Sequence, residues 1–315
     1  MRAVIVNEYG ETPVLADVPK PKPGAGQVLI KVQDASMNPM DRAIARGMFR
    51  DRIPGTFPMV LGADVAGTVE SLGEGASKFA PGDEVFGQLM AAPLGSAGTY
   101  AEYVAVSEDA PLAHMPNGLD PVVAAALPTA GMSGLELVDL LEPLTNKTVL
   151  IMGAGGGVGS FATQFAANAG AHVIANVRQS EAARMRAYGA AETVDHTSSS
   201  VIDTVRKTHP NGIDGLIDLA SDAKGFAALA SLVRRGGTAI SSKHVADPKT
   251  LAVTGVTGIN FELAPSSAAL DRVADALVTR RIVAPPITRI TLDQVPAILG
   301  GTSKQSADGK TVIAL

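Results

Sequence analysis

The sequence predicts a two-domain α/β protein, a β-rich, turn-rich portion followed by a parallel, doubly wound sheet. Three observations carry this. The 315 residues are long for one hydrophobic core. Residues 1–115 hold short strand-like runs punctuated by Gly and Pro. From about residue 120 onward, strand and helix signals alternate, the pattern of a parallel sheet.

The elements follow in order. "AVIV", "VLIKVQ", "VAGTVESL", "DEVFGQL" and "YAEYVAV" read as strands of an irregular barrel, separated by "PKPGAG", "NPM", "FPMVLG" and "APGDE". Pro121 opens a helix across "VVAAALPTAGMSGLELVDLL". "TVLIM" is a buried strand, and "VGSFATQFAANAG" a helix ending at Gly170. "HVIANV" is the next strand, followed by "SEAARMRAYGA", a helix capped by Ser180 and stopped by Gly189. "ETVDH", "DGLIDLA" and "GTAISS" are further strands, with the helix "GFAALASLV" between the last two. "SSAALDRVADALVTRR" is a helix, and "ITRITLDQVPAIL" with "GKTVIAL" form a last helix and strand that return to the first domain.

Composition narrows the function. Hydrophobic residues make up 46% and charged residues 18%, ordinary for a globular enzyme. Net charge is −5 with no basic tract, which argues against nucleic acid as a partner. Cysteine is absent, so neither a disulfide nor a thiolate ligand or nucleophile is available. The start, "MRAVIVNEYG", lacks the apolar core of a signal peptide, and no run reaches the roughly 20 apolar residues of a membrane helix. A cytoplasmic enzyme without a membrane partner is the expectation.

"GAGGGVGS" (Gly153–Ser160) follows "TVLIM" and opens a helix. Helix N-terminal N–H groups and the helix dipole bind phosphate, and glycine lets the backbone approach. No Lys follows, which excludes a P-loop. The strict Gly-x-Gly-x-x-Gly register is missing, because Val158 stands at its last position; the spacing that works is Gly153, Gly156, Gly159. The end of the second strand reads "IANVRQSE", with Asn176 neutral, Arg178 cationic and the first acid, Glu181, in the next helix. A cation with no acid at this point favours NADPH over NADH.

The first domain adds "ASMNPMD" (Ala35–Asp41), "FPMVLGADVAGTVESLG" (Phe57–Gly73), "FAPGDEVFG" (Phe79–Gly87) and "GTYAEY" (Gly98–Tyr103); "AALPTAGMSG" (Ala125–Gly134), "GAGGGVG" and the closing "GKTVIAL" follow. With these motifs in this order, the chain resembles, over essentially its full length, the zinc-independent quinone oxidoreductase branch of the medium-chain dehydrogenase/reductase superfamily. The resemblance implies a GroES-like β-barrel catalytic domain from both termini (1–120 and 281–315), a Rossmann NADP-binding domain (121–280), an NADPH site in the cleft between them, and a homodimer. Zinc-dependent relatives carry Cys where Asn38 stands and His-Glu where Ala63-Asp64 stands. The five histidines here, His114, His172, His196, His209 and His244, are scattered without ligand spacing, so no metal is expected.

The resemblance and the loop together assign roles. Gly153, Gly156, Gly157, Val158 and Gly159 would contact the pyrophosphate. Asn176, Arg178 and His196 would hold the adenosine phosphate. Ser241, Ser242, Val256 and Thr257 would flank the nicotinamide. Asn38 is the candidate on the substrate side, and Thr129 borders the nicotinamide; both are the candidate catalytic residues. Asp41 fixes its loop, and Tyr100 and Tyr103 either reach the cleft or pack in the barrel. An aliphatic pocket of Met37, Met40, Met48, Met90 and Leu94 would take the substrate. The expected activity is NADPH-dependent reduction of a small-molecule quinone or α,β-unsaturated carbonyl, with water as proton source. Two alternatives stand: a non-catalytic NADPH-binding protein, crystallin- or sensor-like, and an enoyl-thioester reductase with a basic groove at Arg42, Arg46, Arg50 and Arg52.

Overall fold

The computed structural model describes residues 1–302 and 308–315. It divides into two compact units: Met1–Thr129 with Pro265–Val278 and Pro286–Leu315, and Ala130–Ala264 with Thr279–Pro285.

The first unit contains β1 (Arg2–Val6), β2 (Val14–Asp17), β3 (Gln27–Met37), α1 (Pro39–Ala45), β4 (Met59–Val60), β5 (Asp64–Leu72), β6 (Glu84–Gln88), β7 (Tyr103–Ser107), β8 (Leu112–His114) and α2 (Pro121–Ala126). The unit boundary falls inside the next helix, α3 (Pro128–Asp139). The single helix expected across "VVAAALPTAGMSGLELVDLL" is thus two. Pro128 has no N–H to donate to the Ala124 carbonyl, and Leu127 N–H takes that acceptor instead at 3.2 Å. Asp120 caps α2, its Oδ1 accepting from Val122 N at 2.9 Å.

The second unit holds β9 (Thr148–Met152), α4 (Gly157–Asn168), β10 (His172–Asn176), α5 (Ala182–Ala187), β11 (Glu192–Val194), α6 (Val201–Thr208), β12 (Ile213–Asp218), α7 (Ala223–Ala230), β13 (Val233–Ser241), α8 (Pro248–Thr254) and β14 (Thr257–Asn260). Its strands run in the order β11-β10-β9-β12-β13-β14, all parallel. That is the 3-2-1-4-5-6 order of a dinucleotide-binding sheet, whose ligands sit beyond the carboxyl ends of the strands. "TVLIM" is apolar throughout because both faces are covered: Val149 and Ile151 enter one core, Leu150 and Met152 the other. Ser180 does not cap α5; a 3₁₀ turn, Gln179–Glu181, intervenes. Gly189 does end that helix, at φ +93°.

The chain then adds α9 (Ser267–Val278), β15 (Ile287–Thr291), α10 (Val295–Leu299) and β16 (Lys310–Ala314) to the first unit. The boundaries drawn from sequence put α9 with the second unit. The structure joins it to the first, where Ser267 Oγ donates to the Leu112 carbonyl at 2.8 Å. "ITRITLDQVPAIL" is a strand and then a short helix.

In the first unit's main sheet, β15-β16-β3-β5-β6-β8, the long strand β3 is the organiser. Its first half pairs with β7 and its second half with β16, while β5 lies along its other edge with two register shifts. Among the described residues the strands do not close into a barrel.

Candidate active site

The register around β3 brings distant residues together. Ser36 pairs with Asp64 at the start of β5, and Met37 with Thr311 in β16. Asn38, Asp64 and Lys310 therefore meet at one end of the sheet. Asp64 is fully buried, Lys310 4% exposed and Asn38 8% exposed.

These residues form a connected polar chain. Lys310 Nζ donates to Asn38 Oδ1 at 2.7 Å and to the Met37 carbonyl at 3.1 Å, and stands 3.6 Å from Asp64 Oδ2. Asn38 Nδ2 and Ser36 Oγ donate to Asp64 Oδ2 at 2.9 and 3.0 Å. Thr129 donates to Asp64 Oδ1 twice, from its hydroxyl at 2.6 Å and its backbone N–H at 3.1 Å. Burial lowers the Lys310 pKa, opposed by the Asp64 and Asp41 charges. Sequence reasoning offered Asn38 as a substrate contact; the structure places its side chain within this cluster. Its amide oxygen accepts from Lys310 and its amide nitrogen donates to Asp64, so each end has a partner inside the protein. Asp64 and Lys310 were not singled out. "GKTVIAL" was read as a strand and a family motif, with no role for its Lys, since nothing local marks that residue as buried.

Asp41 forms a second buried pair. Its Oδ2 accepts from Tyr100 OH at 2.5 Å and from Asn38 N at 2.6 Å. Burial, against those hydrogen bonds, pushes the Asp41 pKa up to about 7, and burial together with the Asp41 charge raises that of Tyr100. Tyr100 is thus a packed residue. Asp41 also lines a cavity of ≈ 20 Å³ with Met90 and Leu94, a volume that holds about one water. Of the five aliphatic residues expected around a substrate, only these two line it. Met48 is 71% exposed, and Met37 and Met40 pack against the hydrophobic core. Arg42 is tied to the Ile298 carbonyl at 2.6 Å.

In the second unit the turn after β9 has the form a dinucleotide needs. Gly153 adopts φ +75°. A Cβ on Gly159 would lie 2.3 Å from the Gly153 carbonyl oxygen and 2.6 Å from Ala154 Cα, so glycine lets α4 pack against the turn. A Cβ on Gly156 would meet only the Gly153 oxygen, at 3.6 Å. Gly156 is the N-cap, with no side-chain cap bond, which leaves first-turn N–H groups of α4 for a ligand. These residues fit a dinucleotide pyrophosphate.

At the carboxyl end of β10, Asn176 Nδ2 donates to the Val194 carbonyl at 3.1 Å and lies 3.4 Å from His196 Nδ1. Arg178 is exposed, and its guanidinium has no partner among the described residues. Glu181 turns back to the glycine turn beside Gly155. Arg184 neutralises it at 2.7 Å and also donates to the Gly155 carbonyl. Asp195, missed in the sequence, receives the Gln179 N–H at 3.0 Å, and hydrogen bonds from the Thr197 hydroxyl and N–H hold its carboxyl below the usual range.

Ser241 ends β13 at the same carboxyl edge, and Ser242, just beyond it, donates its N–H to the Asp218 carbonyl at 3.0 Å. Asp218 itself is buried there with Oδ2 unpartnered, another residue that local sequence does not mark. Val256 and Thr257 are not brought to this edge. Thr257 pairs with Thr238 at the amino end of β14; the carboxyl end is Asn260, opposite Ser241. A parallel strand delivers ligand contacts from its carboxyl end.

Comparison with known proteins agrees with this layout. The family model of the alcohol dehydrogenase GroES-like domain matches residues 24–117, and that of zinc-binding dehydrogenase matches residues 157–257. A mitochondrial NAD(P)H oxidoreductase of Bos taurus is 31% identical over 328 residues, 91% of this chain and 81% of its own. A chloroplastic quinone oxidoreductase of Triphysaria versicolor is 36% identical over 210 residues, 62% of this chain and 61% of its own. In the human protein that shares the bovine relative's name, the match spans 57% of the relative's length. An alcohol dehydrogenase superfamily structure from Novosphingobium aromaticivorans aligns over 100% of this chain and 99% of its own, at TM-score 0.86 and 29% identity. The chain belongs to the medium-chain dehydrogenase/reductase superfamily, in its quinone-oxidoreductase branch. Among the described residues no helix is long and apolar enough to cross a membrane.

Proposed function

We propose that this chain is an NADPH-dependent, zinc-independent reductase of quinones or α,β-unsaturated carbonyls. The observation that carries the reading is the turn after β9, where glycines meet separate steric demands and lead into an uncapped helix. When bound, the reduced nicotinamide supplies the hydride. The chain's own residues position it: N–H groups of Gly157 to Gly159 take the pyrophosphate, and Arg178, with Asn176 and His196 beside it, takes the 2′-phosphate. Ser241 and Ser242 border the same edge. Thr129 and Asn38 act through Asp64, holding the buried charges.

Zinc independence is supported by Lys310. The Asn38 and Asp64 side chains, at positions where zinc-dependent relatives carry Cys and Glu, face an ammonium of the chain itself. Without a Lewis acid, a conjugated acceptor is the easier substrate, because its developing charge delocalises; water provides the proton. A homodimer fits the free edge of β14, which pairs only with β13 among the described strands.

The test is NADPH oxidation by the purified full chain over a panel of small enones and 1,4-quinones, followed by the near-ultraviolet absorbance of the cofactor. Turnover with members of either class supports the proposal. Tight NADPH binding with no turnover across the panel would favour the non-catalytic reading, and failure to bind any dinucleotide would end both.

A further inference from the structure

The second unit gathers three metal-ligating side chains at the edge away from the glycine turn. His172 begins β10, Glu192 begins β11, and His209 follows the last residue of α6. His172 Nε2 lies 2.6 Å from Glu192 Oε1, and His209 Nε2 lies 2.9 Å from the same oxygen. The two rings are 5.6 Å apart, centre to centre, at 60°. One ligand atom from each residue lies within 4.8 Å of the other two. From sequence these histidines were scattered, 37 positions apart by their numbers. Parallel pairing, with Ile174 opposite Glu192, and the return of α6 bring them to one point.

We propose that His172, Glu192 and His209 form a binding site for a divalent transition metal of the zinc class, tying the starts of β10 and β11 to the end of α6. Two imidazoles and a carboxylate are a donor set suited to Zn²⁺, Ni²⁺, Co²⁺ or Cu²⁺; Ca²⁺ and Mg²⁺ prefer oxygen alone. Zinc ligands at about 2.0–2.2 Å from the ion stand roughly 3.4 Å from each other in a tetrahedron. The hydrogen-bonded separations of 2.6 and 2.9 Å are somewhat shorter, so the side chains need part by less than about 1 Å to admit the ion. Both Nε2 atoms already face the shared point. Ion binding requires only that they give up their protons there, with each ring's N–H moving to Nδ1.

The surroundings favour a cation. Glu192 supplies a carboxylate whose one oxygen lies within hydrogen-bond reach of both histidines. His209 caps the carboxyl end of α6, the negative end of the helix dipole. Solvent reaches the site, since the His172 side chain is 44% exposed, Glu192 32% and His209 18%. A metal can therefore enter without unfolding, and the fourth coordination position is left to water. The site is distinct from the proposed nucleotide contacts. Four strand steps separate His172 from Asn176 along β10, about 13 Å at 3.3 Å per step. The ion would serve as a structural clip.

The experiment uses the untagged, chelator-treated full chain, titrated calorimetrically with zinc chloride. One ion per chain should bind. Losing an outer-shell partner costs a metal site about 10–100-fold in affinity, so His172→Ala, His209→Ala and Glu192→Gln should each weaken binding at least about tenfold. Zinc should raise the melting temperature of the wild type but not of His172→Ala/His209→Ala. His114→Ala, on the first unit, should change nothing. Because substitution could disturb the fold, Cu²⁺ bound to the wild type provides a second reading: its electron paramagnetic resonance spectrum should show two imidazole nitrogens. No binding up to millimolar zinc, equal binding by wild type and the double variant, or a Cu²⁺ spectrum without two nitrogens would each overturn the proposal.

Discussion

Lys310 Nζ donates to Asn38 Oδ1 at 2.7 Å across 272 residues of sequence, with Asp64 Oδ2 3.6 Å away. Lys310 and Asp64, each nearly shut off from water, form an ion pair within a shell of hydroxyl and amide hydrogen bonds. Breaking such a pair from one side leaves a buried charge without a partner, which typically costs about 3–5 kcal/mol. Lys310→Met should lower stability by about that much. Lys310→Met/Asp64→Asn should recover part of the loss, because the orphaned charge is removed as well. Denaturant midpoints of the two variants decide this; equal loss in both would mean the pair is not a charged unit.

Asp41 makes stability depend on pH. Its pKa is about 7 in the folded chain, well above the ordinary aspartate value of 3.8. A carboxyl raised on folding binds its proton more tightly in the native state, so its contribution is full below about pH 4 and is lost as pH rises to about 7. The loss amounts to about 4 kcal/mol. Asp41→Asn keeps an acceptor for Tyr100 and cannot ionise. The difference in stability between variant and wild type should therefore shift in favour of the variant from pH 4 to 7, then level off. A difference constant with pH would refute the shift.

Arg178 offers the sharpest test of cofactor choice. It is exposed and free of internal partners, so Arg178→Ala should leave the fold intact. A charge-assisted hydrogen bond is worth about 1.5–3 kcal/mol, so the affinity for NADPH should fall at least about tenfold while that for NADH holds. Fluorescence titration with both cofactors distinguishes the outcomes. An equal fall for both would show that Arg178 does not read the 2′-phosphate.

The glycine turn separates packing from binding. Gly159→Ala places a methyl 2.3 Å from the Gly153 oxygen, so α4 must shift; overpacking of this kind costs about 1–3 kcal/mol. Gly156→Ala meets nothing closer than 3.6 Å, so its stability should stay within about 1 kcal/mol of wild type. It adds a methyl at the turn proposed to hold the pyrophosphate, and its main effect should be weaker NADPH binding. Thermal melts and cofactor titration on both variants check the split.

How much of this was legible beforehand follows from the range of the interactions. "TVLIM", the turn after it and the stop at Gly189 were readable because burial on both faces, a positive φ and a helix end are decided within a few residues. The alternation of strands and helices likewise implied a parallel sheet. The break at Pro128 was legible in principle, since a missing N–H is a local fact, but the apolar pattern on either side masked it. The identity of the neighbours lay beyond reach. Whether Lys310 is buried depends on β16 pairing with β3, and whether His172 meets His209 depends on the order of strands and the path of α6. Which end of β14 faces the ligand depends on strand direction. Local residue types set the backbone's conformation and the family pattern. Only long-range pairing, through hydrogen-bond register between distant strands, decided which side chains share a dielectric environment and so which charges and ligands can act together.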